Sequence, residues 1–209
     1  MLKIIYEADD PELMEKVWSF RHKRFVEELG WEELRRDDCR ERDEFDTADT
    51  LHAVLVHGGN VIGYSRLLPT TRSHLTSDFC RQHGIEPPSG PHIYEWSRCA
   101  AELGAPDVNG HAASDLLMTG VLECLVEIGA RAVVFLTYAP IVKMMRRRGY
   151  PVEHISSLRL GNGDQVEAVF STLPADLLFR HRQRHSIQLS LLEWGHARAV
   201  DRLRTAAAA

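Results

Sequence analysis

The sequence is short of most features that reveal a protein's chemistry at a glance. Its four cysteines, Cys39, Cys80, Cys99 and Cys124, form no C-x-x-C pair and no cluster with histidine at metal-ligand spacing. Neither a disulfide scaffold nor a structural metal site is expected. No apolar run approaches the roughly 20 residues of a membrane helix; Ala132–Leu136 is typical of the longest. The opening MLKIIYEADD lacks the apolar stretch of an export signal. Positive charge is not in excess, since 25 Lys and Arg face 30 Asp and Glu for a net charge of -5, and such a field does not favour nucleic-acid phosphates. G-x-S-x-G, the P-loop, G-x-G-x-x-G and H-E-x-x-H are missing, so hydrolase, kinase and dehydrogenase readings lose their usual support. The remaining expectation is a cytoplasmic globular protein of 209 residues, 44% hydrophobic and 26% charged.

Periodicity then sets out the elements. Leu2–Tyr6 reads as a strand, and Asp9 or Asp10 before Pro11 starts a helix that runs to about Gly30. Met14, Trp18, Arg21 and Phe25 fall on one stripe of that helix, which places Arg21 among core-facing apolar groups. The segment 31–50 is dense in charge without periodicity and reads as a loop, a lid or a solvated charged excursion. Strands at about 51–57 and 61–68 flank a Gly-Gly-Asn turn, a hairpin signal. A short helix near 77–83, a strand at 92–99, a helix over 112–128 and a buried strand at 131–138 follow. Pro140 opens a basic helix that stops at Gly149, and strands at about 152–160 and 165–172 flank a turn. This order predicts an α/β fold with a mixed sheet and helices on both faces. Residues 1–175 form one domain in this reading, and 176–209 a helical C-terminal extension whose closing alanine run frays.

Charge sits where a core would not want it. Arg21 lies on an apolar helix stripe, Arg66 and Glu95 lie within strand runs, Arg98 follows Glu95 by three, and Asp43 and Asp46 bracket Phe45 before a strand. Such groups are costly to bury unless they pair with one another. Each alone has an ordinary explanation in a snorkelling arginine or a solvated turn. Glu95 and Arg98 would point to opposite faces of a regular strand, so a shared site requires a bulge between them.

The ordered set R-x-x-x-F at 21–25, Trp31, D-E-F-D at 43–46, Arg66 and E-x-S-R at 95–98 resembles the LuxI-type acyl-homoserine-lactone synthases. The resemblance implies a GNAT-like acyltransferase fold, a mixed and mostly antiparallel twisted sheet with a splayed, bulged central strand and helices on both faces. It implies no metal and no prosthetic group, with S-adenosylmethionine and an acyl thioester as substrates. The methionine amine attacks the thioester to form an amide, and the carboxylate then displaces the sulfonium, closing the lactone and releasing methylthioadenosine. Carried over position by position, Arg21, Asp43, Asp46, Arg66, Glu95 and Arg98 are the charged cluster, with Glu95 as candidate general base. Phe25 and Trp31 shape the methionine-adenosine pocket.

For the acyl chain, Met118, Leu122, Phe135, Tyr138, Val142 and Met145 are candidate wall residues. Members making 3-oxo products often carry threonine near position 135; Phe135 stands there, with Thr137 close by, which favours an unsubstituted, branched or aromatic acyl group. Lys143, Arg146, Arg147 and Arg148 form a basic helix end that suits an acidic acyl carrier protein, or the phosphates of a coenzyme A thioester, although cations also favour any helix C-terminus. Two other readings stand beside this one: an N-acetyltransferase using acetyl-CoA on another amine, and a non-catalytic small-molecule sensor.

Overall fold

Strands β1 (Leu2–Ile5), β2 (Leu51–His57), β3 (Asn60–Pro69), β4 (Ile93–Ala101), β5 (Ala132–Tyr138), β6 (Val152–Arg159), β7 (Gln165–Thr172) and β8 (Leu192–Trp194) line up as one sheet, in the order β6-β7-β5-β4-β3-β2-β1-β8. The computed structural model describes residues 1–161 and 163–195. Neighbouring strands are antiparallel except at β4/β5 and β1/β8. Helices α1 (Pro11–Arg21), α2 (Leu75–Gln82), α3 (Ala113–Glu127), α4 (Ala139–Arg147) and α5 (Leu177–His185) connect and cover the strands.

The apolar patterns sort these helices to the two faces. Leu116, Leu117, Val121, Leu122 and Leu125 of α3 join Leu2, Leu51, Leu67 and Trp96 in the larger core. Met14, Val17 and Trp18 of α1 meet Val54 and Tyr64 in a smaller one. Gly120 lets α3 sit low on β1, because a Cβ there would lie 2.5 Å from Leu2 Cδ2. Asp10 caps α1 by accepting from Leu13 N at 3.0 Å, with Pro11 in the first turn, where its missing N–H costs nothing. After Arg21 the helix widens into π-type turns over His22–Glu28, a distortion the stripe of apolar residues does not announce.

The sheet splays between its two central strands. β4 and β5 pair only over Ile93–Glu95 and Ala132–Val134, after which β4 follows β3 and β5 follows β7. The expected bulge is present on β4. Arg66 faces Ser97 and Tyr64 faces Ala100, so Ser65 alone opposes both Arg98 and Cys99. Arg98 takes the left-handed conformation, with φ of 52°, the kink that such an insertion needs.

The C-terminal part departs from the expected helical extension. Among the described residues it is helical only over Leu177–His185, and Leu192–Trp194 forms β8, parallel to β1. Leu177 and Ile187 belong to the larger core, so this stretch is joined to the sheet and core. A three-residue edge strand owes its conformation to the β1 backbone it pairs with, which local pattern cannot reveal. The closing alanine run lies outside the described residues.

Candidate active site

Three arginines and three carboxylates close into a ring of alternating charge on the α1 face of the sheet. Arg21, at the end of α1, donates to Glu41 at 2.5 Å and to Asp46 at 2.8 Å. Arg66, on β3, donates to Asp46 at 3.0 Å and to Asp43 at 2.5 Å. Arg98, turned by the bulge, donates to Asp43 at 3.0 Å and to Glu41 at 3.1 Å. Each carboxylate is thus shared by two guanidinium groups, and the ring is neutral as a whole. Five of the six expected charged residues meet here. Glu41, which the sequence reading passed over, is the sixth member; its only trace is a carboxylate two residues before Asp43 in a loop full of charge.

Burial makes the ring a strongly coupled unit. Arg21 and Arg66 are 0% exposed and Glu41 1%. At Arg21, Arg66, Glu41 and Asp46 desolvation opposes the charge, but the opposite charges around them prevail. Burial raises the Asp46 carboxyl, yet Arg21 and Arg66 hold it well below the ordinary range. Glu41 is likewise lowered by Arg21 and Arg98 against the pull of burial. Arg66 is raised by Asp46 and Asp43 despite burial. Two donors, Arg21 Nη2 and Arg66 Nη2, are buried without a partner among the described residues. The loop 31–50 is therefore tied to the sheet by its own carboxylates.

Glu95 stands beside the ring. It is completely buried, and its Oε2 accepts from Thr76 N at 2.6 Å and lies 2.9 Å from His74 Nδ1. Desolvation raises the Glu95 carboxyl, but the bond to His74 and the Arg66 charge leave it lowered. With Glu95 ionised, the ring and this carboxylate together carry one net negative charge.

The splay opens a cleft of about 420 Å³ through the sheet. Phe25 and Trp31 stack at 5.1 Å between ring centroids, and each lies 5.6 Å from the Arg98 guanidinium carbon, within cation–π range. Phe25, Trp31 and Arg98 line one side of the cleft, and Met118, Phe135, Tyr138 and Met145 line it further on. Leu117, Met144 and Thr137 also border it. Leu122 and Val142 do not: both are buried in the closed core at 0% and 2% exposure. One turn along α3 carries Leu122 away from the opening at Met118, and helical spacing alone cannot say where the sheet beneath is open.

The basic helix end divides. Lys143, Arg146 and Arg147 are exposed, although Arg146 also donates to Val152 O at 3.2 Å. Arg148 instead turns inward, donating to Asp115 at 2.9 Å and to the Met118 sulfur at 3.1 Å. It braces the Met118 side of the cleft and is less exposed than Lys143, Arg146 and Arg147.

A family model described as autoinducer synthase matches residues 5–182. The acyl-homoserine-lactone synthase of Ralstonia solanacearum is 36% identical over 163 residues, covering 75% of this chain and 80% of the relative. Among solved structures, the CoA-dependent acyl-homoserine lactone synthase BjaI, described with SAM and isopentyl-CoA, superposes with a TM-score of 0.86 at 27% identity, over 98% of this chain and 99% of that one. A structure described as an N-acetyltransferase from Lactobacillus plantarum, at a TM-score of 0.52 and 19% identity over 82% of this chain and 98% of its own, shows that the fold is GNAT-like. A bulged, splayed sheet, a closed ring of buried charge and a match over most of the length agree: the chain belongs to the autoinducer synthase family.

Proposed function

We propose that this protein makes an N-acyl-homoserine lactone from S-adenosylmethionine and an acyl thioester. The observation that carries this reading is the site's charge balance. A neutral ring plus the Glu95 carboxylate has one negative charge to offer, and S-adenosylmethionine, with its sulfonium, ammonium and carboxylate, brings one net positive charge. In this reading the unpartnered Nη2 of Arg66 or Arg21 holds the substrate carboxylate, and the Phe25–Trp31 pair packs the adenosine. Glu95, directly or through a water, takes a proton from the amine. The freed nitrogen attacks the thioester carbonyl, and a backbone N–H at the unpaired edge of β4 steadies the oxyanion. The thiol leaves with a proton, the carboxylate then attacks the γ carbon, and methylthioadenosine departs as the lactone closes.

The cleft supplies the acyl site. Its walls of Leu117, Met118, Phe135 and Met145 suit a short or branched apolar chain without a 3-oxo group. Coenzyme A is the proposed carrier, on the likeness to a CoA-dependent synthase. An acyl carrier protein is the second reading, supported by the exposed Lys143, Arg146 and Arg147. No helix among the described residues is long and apolar enough to cross a membrane, and a cytoplasmic site of action agrees with substrates of this kind.

The test is to incubate purified protein with S-adenosylmethionine and matched panels of acyl-CoA and acyl-carrier-protein donors, and to read methylthioadenosine and lactone by mass spectrometry. Stoichiometric release of both is expected, fastest with short or branched acyl-CoA. Acetyl transfer to another amine, with no lactone from any donor, would establish the acetyltransferase reading instead.

A further inference from the structure

Glu95 is held from behind by a residue that the charged ring does not include. His74 is 1% exposed and Glu95 0%. His74 Nδ1 lies 2.9 Å from Glu95 Oε2, and the same oxygen accepts from Thr76 N at 2.6 Å. The other carboxylate oxygen, Oε1, has no partner among the described residues. One oxygen is thus doubly tied, and the other is buried with no partner among the described residues. His74 Nδ1 also lies 3.3 Å from Ser77 N, so this atom either accepts from the first turn of α2 or donates to Glu95. The shorter contact, to a buried charge, decides for donation. The turn keeps its shape without the imidazole, because Ser77 Oγ accepts from His74 N at 3.0 Å and donates to His74 O at 2.7 Å.

We propose that His74 is a positioning residue for Glu95: its Nδ1–H and the Thr76 N–H fix Oε2 and leave Oε1 as the oxygen that accepts the substrate proton. The arrangement is that of a base oriented by a buried partner, with the carboxylate and imidazole in exchanged roles relative to a serine-protease triad. This rests on the reading of Glu95 as general base. The charged groups around the pair are few. From β3, Leu68 lies opposite Glu95 and the charge of Arg66 acts on it from two residues along, with Asp43 and Asp46 beyond. Asp78 follows on α2, engaged with Ser73, Ser77 and Arg81. From β5 the paired residue is the apolar Val134. The His74 donor favours the ionised carboxylate, so its loss raises the pH at which the base is protonated.

Two substitutions in the full chain separate positioning from plain helix capping. Serine caps a helix well but is too short to reach Glu95, whereas asparagine caps as well and places an amide N–H near the position of Nδ1. Wild-type protein must first release methylthioadenosine with lactone; if it does not, the reading of the reaction fails, whatever the variants do. Given that activity, His74→Ser is expected to keep its melting temperature within a few degrees and its KM for S-adenosylmethionine. It should lose about tenfold to hundredfold in kcat, with the acid limb of kcat/KM moved up by about one pH unit. His74→Asn is expected to recover most of kcat. A His74→Ser variant with wild-type kcat and pH profile would overturn the proposal. So would equal losses in both variants accompanied by a fall in melting temperature, since that is the signature of a structural role alone.

Discussion

Two arginine–carboxylate networks flank the cleft, and they are built on opposite plans. The inner one, Arg21, Arg66 and Arg98 with Glu41, Asp43 and Asp46, is a closed ring in which every carboxylate serves two arginines. The outer one, where α3, α4 and α5 meet, is open. Arg148 and His185 share Asp115, at 2.9 and 3.1 Å, and Arg182 pairs with Glu123 at 2.8 Å, with Arg148 and Asp115 still partly in solvent. The difference teaches what burial demands. A buried charge must be fully partnered or it is costly, so the inner network is locked into one geometry. A part-solvated pair tolerates adjustment, so the outer network can brace the cleft wall without dictating the fold.

The comparison breaks most sharply at Asp46. Asp46→Asn removes the one carboxylate shared by the two fully buried arginines, and a loss of about 3–5 kcal/mol is expected from urea unfolding. A loss under 1 kcal/mol would mean that water reaches the ring and that its closure means little. Glu41→Gln is milder, because Arg21 keeps Asp46 and Arg98 keeps Asp43. About 2 kcal/mol is expected, together with reduced release of methylthioadenosine, since Arg98 then lacks its second tether beside the aromatic pair. Unchanged turnover in that variant would remove Glu41 from the site.

The inner ring was partly legible in the sequence, and the reason lies in where each charge sits. Arg21 and Arg66 betray themselves because the apolar period around them marks the positions as buried. Arg98 is legible only if the strand is bulged, which the E-x-S-R pattern implies and Ser65, facing two residues at once, fulfils. Glu41 is invisible, because it lies in a charged loop where nothing distinguishes the one residue that folds inward. His74 is hidden for a related reason: it sits in a polar connection where nothing in the local pattern marks it, and its neighbour Glu95 is 21 residues away. The outer network misled in the opposite direction. Arg148 belongs by sequence to a basic helix end, and only the approach of α3 turns it toward Asp115. Helix and strand positions followed period and turn residues closely, whereas β8 depended on a pairing partner at the other end of the chain.

Acid should distinguish the networks through their histidines. Burial holds His52, behind the inner ring, neutral down to about 3. Burial, helped by the positive charges of His185 and Arg148, holds His181 of the outer network neutral down to about 4. An unfolded histidine takes up its proton near 6.5. Between about 6.5 and 4 the unfolded chain therefore binds protons that the folded chain refuses, and stability falls as pH falls through that window. The depressed Glu41 and Asp46 act lower: their stabilisation is complete above the ordinary carboxylate range and is lost as pH drops below it. His181→Gln should flatten the dependence of unfolding free energy on pH between 6.5 and 4 by up to one proton and leave the steeper loss below pH 4 intact. An unchanged slope in that window would show that His181 titrates normally in the folded state.

The smallest effect on stability is expected at Arg148, and there it is specificity that should move. Arg148→Ala removes a part-solvated pair with Asp115, worth about 1 kcal/mol or less, so the melt should barely shift. The same change frees the Met118 side chain, whose sulfur Arg148 now holds at 3.1 Å against the cleft. A thioether released from its only polar tether among the described residues can swing aside, deepening the cleft between α3 and β5. Competition between a short branched and a longer straight-chain acyl donor should then shift toward the longer chain, by a few-fold in the ratio of kcat/KM, while the KM for S-adenosylmethionine stays put. If Arg148 served donor docking, every acyl chain would lose equally and the ratio would not change. A constant ratio would therefore return Arg148 to the exposed Lys143 and Arg147 surface, and a shifted one makes the outer network the acyl ruler that the rigid inner ring cannot be.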